Sequence, residues 1–243
     1  MKVWSILFII FLIVMMPIIP TLSNNLKEIT TSSRDNKEYY ALITGCTEYE
    51  NTLNNIPLPV SSMKVIYNQL IQAPNWKEKN IIILFNEEAT KESILTAFNQ
   101  LSKKIDENDV FYFSWNGHGT IITDTNGDES NGYDECICPY DSDYNGSSFI
   151  SDDELESLFS KIKAEAQFLL FECCQSGGMV ENHNHSKKSV LDVEDEGRVV
   201  VMLTPMGKNG LFSFQGMTMS ILFSEAFSGF IPKYFFSRHD MSA

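Results

Sequence analysis

The stretch AQFLLFECCQSGG, residues 166–178, decides the fold. Ala166, Phe168, Leu169, Leu170 and Phe171 form an apolar run broken only by Gln167. Such a run is the signature of a strand buried on both faces of a parallel sheet. It ends in Glu172, a cysteine pair and Gln175-Ser176-Gly177. Open α/β sheets carry their chemistry just beyond the carboxyl ends of such strands, so Cys174 is the candidate nucleophile. A free cysteine is more often an inert buried thiol, and the assignment therefore needs a partner.

The partner lies in DVFYFSWNGHGT, residues 109–120. Val110 to Trp115 reads as a second buried strand, and it ends in Gly117-His118-Gly119. Flanking glycines let a histidine and the neighbouring backbone come close to a substrate. The separation of His118 from Cys174, 56 residues, is close to the caspase spacing of about 50. On these two motifs the chain resembles the caspase/metacaspase superfamily of cysteine peptidases, closest to the metacaspase and prokaryotic caspase-like branch.

The resemblance implies an α/β fold, a caspase-like three-layer sandwich with a mostly parallel central sheet and helices on both faces. It runs from about residue 39 to residue 229 and implies a cysteine endopeptidase acting on polypeptides. Relatives carry Cys-x-Ser-Gly with an acidic residue two positions earlier, which selects Cys174 over Cys173 and leaves Cys173 structural. His118 would raise the thiolate fraction and protonate the leaving amine. The oxyanion donors implied are the backbone N–H groups of Gly119 and Cys174. Glu172, with Asn116, would line the pocket for the residue before the cut and favour Arg or Lys there. Gln175 stands where relatives have histidine or an aromatic residue. Cleavage after Asp would need arginines around the carboxylate, and Arg34, Arg198 and Arg238, the three in the chain, occupy no recognisable caspase pocket position.

Length and charge agree with one enzyme domain. The 243 residues suffice for a single α/β core, and 43% hydrophobic with 21% charged residues is ordinary for a globular chain. A formal net charge of −14 argues against a nucleic-acid partner, because phosphate backbones attract basic surfaces. Residues 1–23 read as a signal peptide: Lys2, an apolar run from Val3 to Met16, then Pro17, Pro20 and Ser23. The alternative is a retained membrane anchor, since Val3 to Ile19 is near the lower limit for spanning. Secretion, or delivery to a vacuolar or lysosomal compartment, is the expected route, and the sequon residues Asn145 and Asn184 are the glycan acceptors it would use. Five cysteines make no disulfide scaffold, and an odd number leaves at least one thiol free.

Residues 24–37 are polar and read as a linker or short pro-segment, leaving 38–243 for the peptidase domain. Strands are expected at Tyr39 to Thr44, 80–85, 110–115, 166–171 and Arg198 to Leu203. Helical spacing marks 61–73, a stripe from Ile94 to Ile105 capped by Thr90, a segment starting near Asp152, and Gly216 to Phe227. Strand–helix alternation with continuous apolar strands predicts a parallel sheet covered on both faces. A last strand, if one follows, would fall in PKYFF (232–236).

The acidic excursion TDTNGDESNGYDECICPYD (123–141) is the most distinctive run in the chain. Asp124, Asn126, Asp128 and Glu135 fall at positions 1, 3, 5 and 12 of an EF-hand loop, but Glu129 stands where that loop requires glycine. The resemblance implies a different calcium site, with Asp134, Asp152, Asp153 and Glu181 as ligands and calcium as activator; no cofactor is required for the chemistry itself. Lys187 and Lys188 mark an expected self-cleavage loop. Two other readings stay open: a legumain-like asparaginyl endopeptidase, and a catalytically silent caspase fold acting as a calcium-dependent binding module.

Overall fold

The computed structural model describes residues 37–51, 53–57, 61, 63–129, 131–174 and 197–202. All belong to one compact unit, Asn36–Ala243. The expected signal segment, the last helix, the PKYFF strand, Glu181, Asn184, Lys187 and Lys188 lie outside the described residues. Among those described, no helix is long and apolar enough to cross a membrane.

The central sheet has the order β2-β1-β3-β7-β8. Its strands are β1 (Tyr39–Gly45), β2 (Ile81–Phe85), β3 (Val110–Asn116), β7 (Ala166–Glu172) and β8 (Arg198–Met202), and every pairing is parallel. The expected α/β sandwich is therefore present. Alternation along the strands divides the core in two, because successive side chains point to opposite faces. On one face Phe111, Phe113, Trp115 and Phe171 pack with Phe98 and Phe159. These two come from α2 (Lys91–Leu101) and α3 (Asp152–Phe159), and their rings meet edge to face at 5.2 Å. On the other face Ala41, Ile43 and Tyr112 pack against Ile66 and Leu70 of α1 (Lys64–Leu70). Helices thus cover both faces, as continuous apolar strands require.

Sequence also sets where the helices start. Thr90 accepts the backbone N–H of Ser93 at the head of α2. Ser151 accepts that of Glu154 at the head of α3, within the Ser-x-x-Glu signature of a capping box. Asp152, Asp153 and Glu154 fill the first turn of α3, where the helix dipole favours negative charge.

Two expectations need revising. The run at 198–202 is not a fully buried strand: Val199 is 40% exposed. The acidic excursion at 123–141 is not simply a polar loop, because residues 119–151 build a second sheet of order β4-β5-β6 around it. It comprises β4 (Gly119–Thr123), β5 (Tyr133–Ile137) and β6 (Ile150–Ser151), all antiparallel. Thr120, Ile122, Asp134 and Cys136 mix polar and apolar residues on one face of a short hairpin, so no clean period of two marks it in the sequence.

Candidate active site

The parallel pairing of β3 with β7 brings the two motifs together. Asn116 stands opposite Glu172 in the register, its side-chain amide donates to the Glu172 carboxylate at 2.6 Å, and Gly117 N–H donates to Glu172 O at 3.3 Å. Both chains turn immediately afterwards. A Cβ placed on Gly119 would lie 2.2 Å from the carbonyl oxygen of Cys174 and 3.0 Å from Cys173 Sγ. Any side chain at 119 would therefore push the two turns apart, and only glycine permits the approach.

His118 is held from several directions. Its backbone N–H donates to the Tyr49 hydroxyl at 2.7 Å, and its carbonyl accepts from Trp115 Nε1 at 3.1 Å and from Cys138 N–H at 3.2 Å. The imidazole stacks on the Tyr49 ring with centroids 4.9 Å apart. Its Nε2 lies 2.7 Å from the carbonyl oxygen of Asn54. A carbonyl only accepts, so Nε2 carries the proton in this contact and Nδ1 is left as the basic nitrogen. Tyr49 and Asn54 carry no signal in the sequence, since they sit on an irregular segment after β1 and matter only through β1 lying beside β3.

The bond from Cys138 N–H to His118 O also orients Gly119. It makes Gly119 and Ile137 a non-hydrogen-bonded pair of the antiparallel ladder. The Gly119 N–H consequently points away from β5, toward the open edge of β4. An oxyanion donor needs that freedom.

The cysteines divide sharply. Cys173 is 3% exposed, and burial together with the neighbouring Cys138, Cys174 and Glu172 pushes its thiol well up. Cys46, Cys136 and Cys138 are also buried free thiols, whereas Cys174 is half-buried. Among the described cysteines, Cys174 alone is positioned to meet a reagent from solution.

The acidic loop between β4 and β5 forms a second constellation. Carboxylate oxygens of Asp124, Asp128 and Asp134 lie within 4.8 Å of one another. Asp124 also accepts the backbone N–H groups of Asn126 and Gly127, at 2.8 and 2.7 Å, and the Asn126 amide reaches the Asp153 carboxylate. The chain turns at Gly127 and Gly132, with φ of 78° and 77°, and joins two strands, so this is no EF-hand. Asp128 Oδ1, Asp134 Oδ1 and Asp152 Oδ2 are buried without a hydrogen-bond partner. Burial, then Asp153, Asp124 and Asp128, push Asp134 up to about 6. Burial, then Glu135, push Asp152 up to about 8. Unsatisfied buried carboxylate oxygens with oxygen donors alone fit a hard divalent cation such as calcium. The structure thus adds Asp124 and Asp128 to the neighbourhood of Asp134, whereas the sequence places them only in an EF-hand-like pattern. Asn145, the other described residue named from the sequence, is exposed.

Comparison with known proteins gives a consistent result. Residues 39–183 match the family model of the metacaspase, peptidase C14 domain. The chain is 33% identical over 160 residues to metacaspase-1 of Schizosaccharomyces pombe, covering 62% of this chain and 37% of that protein. It is 32% identical over 160 residues to metacaspase-1 of Yarrowia lipolytica, with 62% and 34% covered. With metacaspase-4 of Arabidopsis thaliana it shares 28% over 148 residues, covering 56% and 34%. The matched region spans about a third of the length of these curated relatives. A crystal structure of a Geobacter sulfurreducens protein is also similar, with a TM-score of 0.47, 22% identity, and 58% of this chain and 52% of that chain covered.

Proposed function

The chain belongs to the metacaspase, peptidase C14 family, and on that premise we propose that it is a cysteine endopeptidase cutting after Arg or Lys. The observation that carries this reading is the meeting of the β3 and β7 turns, with Gly119 against the carbonyl of Cys174. Cys174 attacks the scissile carbonyl as the thiolate, and the tetrahedral oxyanion is stabilised by the N–H groups of Gly119 and Cys174. His118 takes the thiol proton and returns it to the leaving amine, which departs as the thioester forms. Water, activated by the same imidazole, then releases the acyl half and regenerates the thiol. The Asn54 carbonyl fixes the imidazole tautomer for both steps.

Preference for a basic residue before the cut is supported by Glu172, a buried carboxylate at the end of β7 held by the Asn116 amide. An Arg or Lys side chain reaching it would form a charge-assisted contact. Calcium activation is supported by the orphaned carboxylate oxygens of Asp128, Asp134 and Asp152, with Asp124 and Asp153 beside them and Glu181 as a further ligand implied by the family pattern. A bound cation would neutralise this cluster and order the β4–β5 hairpin that starts at Gly119. Action along the secretory route is supported by the apolar leader and by the exposed sequon residue Asn145.

The experiment uses the full chain with matched fluorogenic peptides ending in Arg, Lys, Asn or Asp, with and without calcium. Turnover of Arg and Lys substrates, raised by calcium, is expected. Fastest cleavage after Asn would favour the legumain-like alternative, and clear preference for Asp would overturn the specificity. Failure of a peptide electrophile to label Cys174, with or without calcium, would favour a silent binding module.

A further inference from the structure

The cleft beside His118 has a chemistry that the steps above do not use. It encloses about 340 Å³, at the small end for a ligand pocket, so it suits a side chain or two rather than a long stretch of peptide. Leu53, Ile122, Tyr144 and Phe149 stand in its wall with His118 and Asn54. The described wall contains no Asp, Glu, Lys or Arg, in a chain that carries 32 acidic and 18 basic residues. It also leaves large apolar side chains in water: Tyr144 is 66% exposed and Ile122 36%. Single exposed apolar residues mean little, but Tyr144 and Ile122 flank one cleft continuous with His118, whose uncharged wall also carries Asn54, Thr120 and Asn145.

Resting on the peptidase reading, we propose that this cleft is the subsite for the leaving side of the substrate and that it selects an uncharged apolar residue immediately after the cut. The direction follows from the chemistry of His118. The imidazole protonates the departing amine, so the leaving segment begins beside it. Neither Cys174 nor Glu172 stands in the described wall of the cleft, which therefore lies past His118, away from the residue that receives the acyl group. A charged side chain entering it would lose water with no opposite charge to meet in the described wall. An apolar one would cover Tyr144 and Ile122 and gain from the area removed from water.

The backbone supports the same course. β4 is an outer strand of its sheet. With Gly119 opposite Ile137 as a non-hydrogen-bonded pair, Ile121 opposite Glu135 is another, and its N–H and C=O face the open edge. An extended leaving segment can add there as a strand, with main-chain bonds giving affinity and the cleft giving selectivity. The ladder register continues back to His118, so His118, Thr120 and Ile122 share one face of the strand. That puts Ile122 on the imidazole side.

The test uses internally quenched peptides with Arg before the cut and Leu, Phe, Ser, Asp or Lys after it. An Arg-aminomethylcoumarin substrate, which has no residue after the cut, is run beside them. We expect kcat/KM for Leu and Phe to exceed that for Asp and Lys by about 10-fold or more, and the ratio to narrow in Tyr144→Ala and in Ile122→Ser. Equal rates across the series, or faster cleavage before a charged residue, with the coumarin substrate still turned over, would overturn the subsite and leave the peptidase reading intact. No turnover of either substrate type would remove both.

Discussion

The Tyr49 hydroxyl accepts the backbone N–H of His118 at 2.7 Å while its ring stacks on the imidazole at 4.9 Å. One side chain from the segment after β1 thus fixes both the main chain and the ring of a residue on the turn after β3. The hydroxyl also donates to the Cys46 carbonyl at 3.4 Å, which anchors it to the end of β1. Tyr49→Phe keeps the stack and strands the His118 N–H. An unmet buried donor costs about 1–3 kcal/mol, so kcat/KM should fall roughly tenfold, with a changed pH profile because the imidazole is less well held. Tyr49→Ala should lose more. Tyr49→Phe with wild-type rate and pH profile would show that the hydroxyl plays no positioning part.

The adjacent cysteines give a direct contrast. Cys174 is half-buried at the turn, whereas Cys173 is sealed in the core with its thiol pushed up by burial. Cys174→Ala should abolish peptide hydrolysis and labelling by a peptide electrophile. Cys173→Ala should keep most activity and lower the melting temperature, because it opens a cavity about one sulfur in size. The reverse pattern of activities would reassign the nucleophile.

How much of this was legible in the chain follows from what each residue depends on. The strands of the central sheet were readable because FLLF and VFYFSW are buried on both faces and carry their own signal. Cys174, His118 and Glu172 were readable because they follow those strands directly. Tyr49 and Asn54 were not, since their importance arises from β1 and β3 being neighbours, a fact of topology. The β4–β5 hairpin was hidden because its short strands mix acidic, cysteine and isoleucine positions. For the same reason Asp124 and Asp128 looked like part of a linear loop, while folding sets them beside Asp134.

Specificity before the cut should respond to a single change. Glu172 is buried and accepts from Asn116, so Glu172→Gln removes the charge and keeps the shape and a hydrogen-bonding amide. Hydrogen bonds to charged groups contribute about 1.5–3 kcal/mol, and kcat/KM on Arg and Lys substrates should fall about 10- to 100-fold. Cleavage after neutral residues should change much less. Equal losses on every substrate would mean that Glu172 supports the turn and does not read the side chain.

The raised carboxylates of the acidic cluster set how stability varies with pH. Asp134 and Asp152 are pushed up to about 6 and about 8 by burial and by neighbouring carboxylates, above the ordinary carboxylate value near 4. Between pH 4 and 8 the folded chain therefore holds protons that the unfolded chain has released, so stability falls as pH rises through that window. Calcium binds the ionised oxygens and must displace those protons, so it competes poorly at low pH. Without metal, the melting temperature should decline from pH 5 to pH 8. Added calcium should raise it most at pH 8 and least at pH 5. Asp152→Asn, which keeps the buried group neutral at every pH, should flatten the metal-free decline and shrink the calcium response. A melting temperature insensitive to both pH and calcium would show that these carboxylates form no cation site.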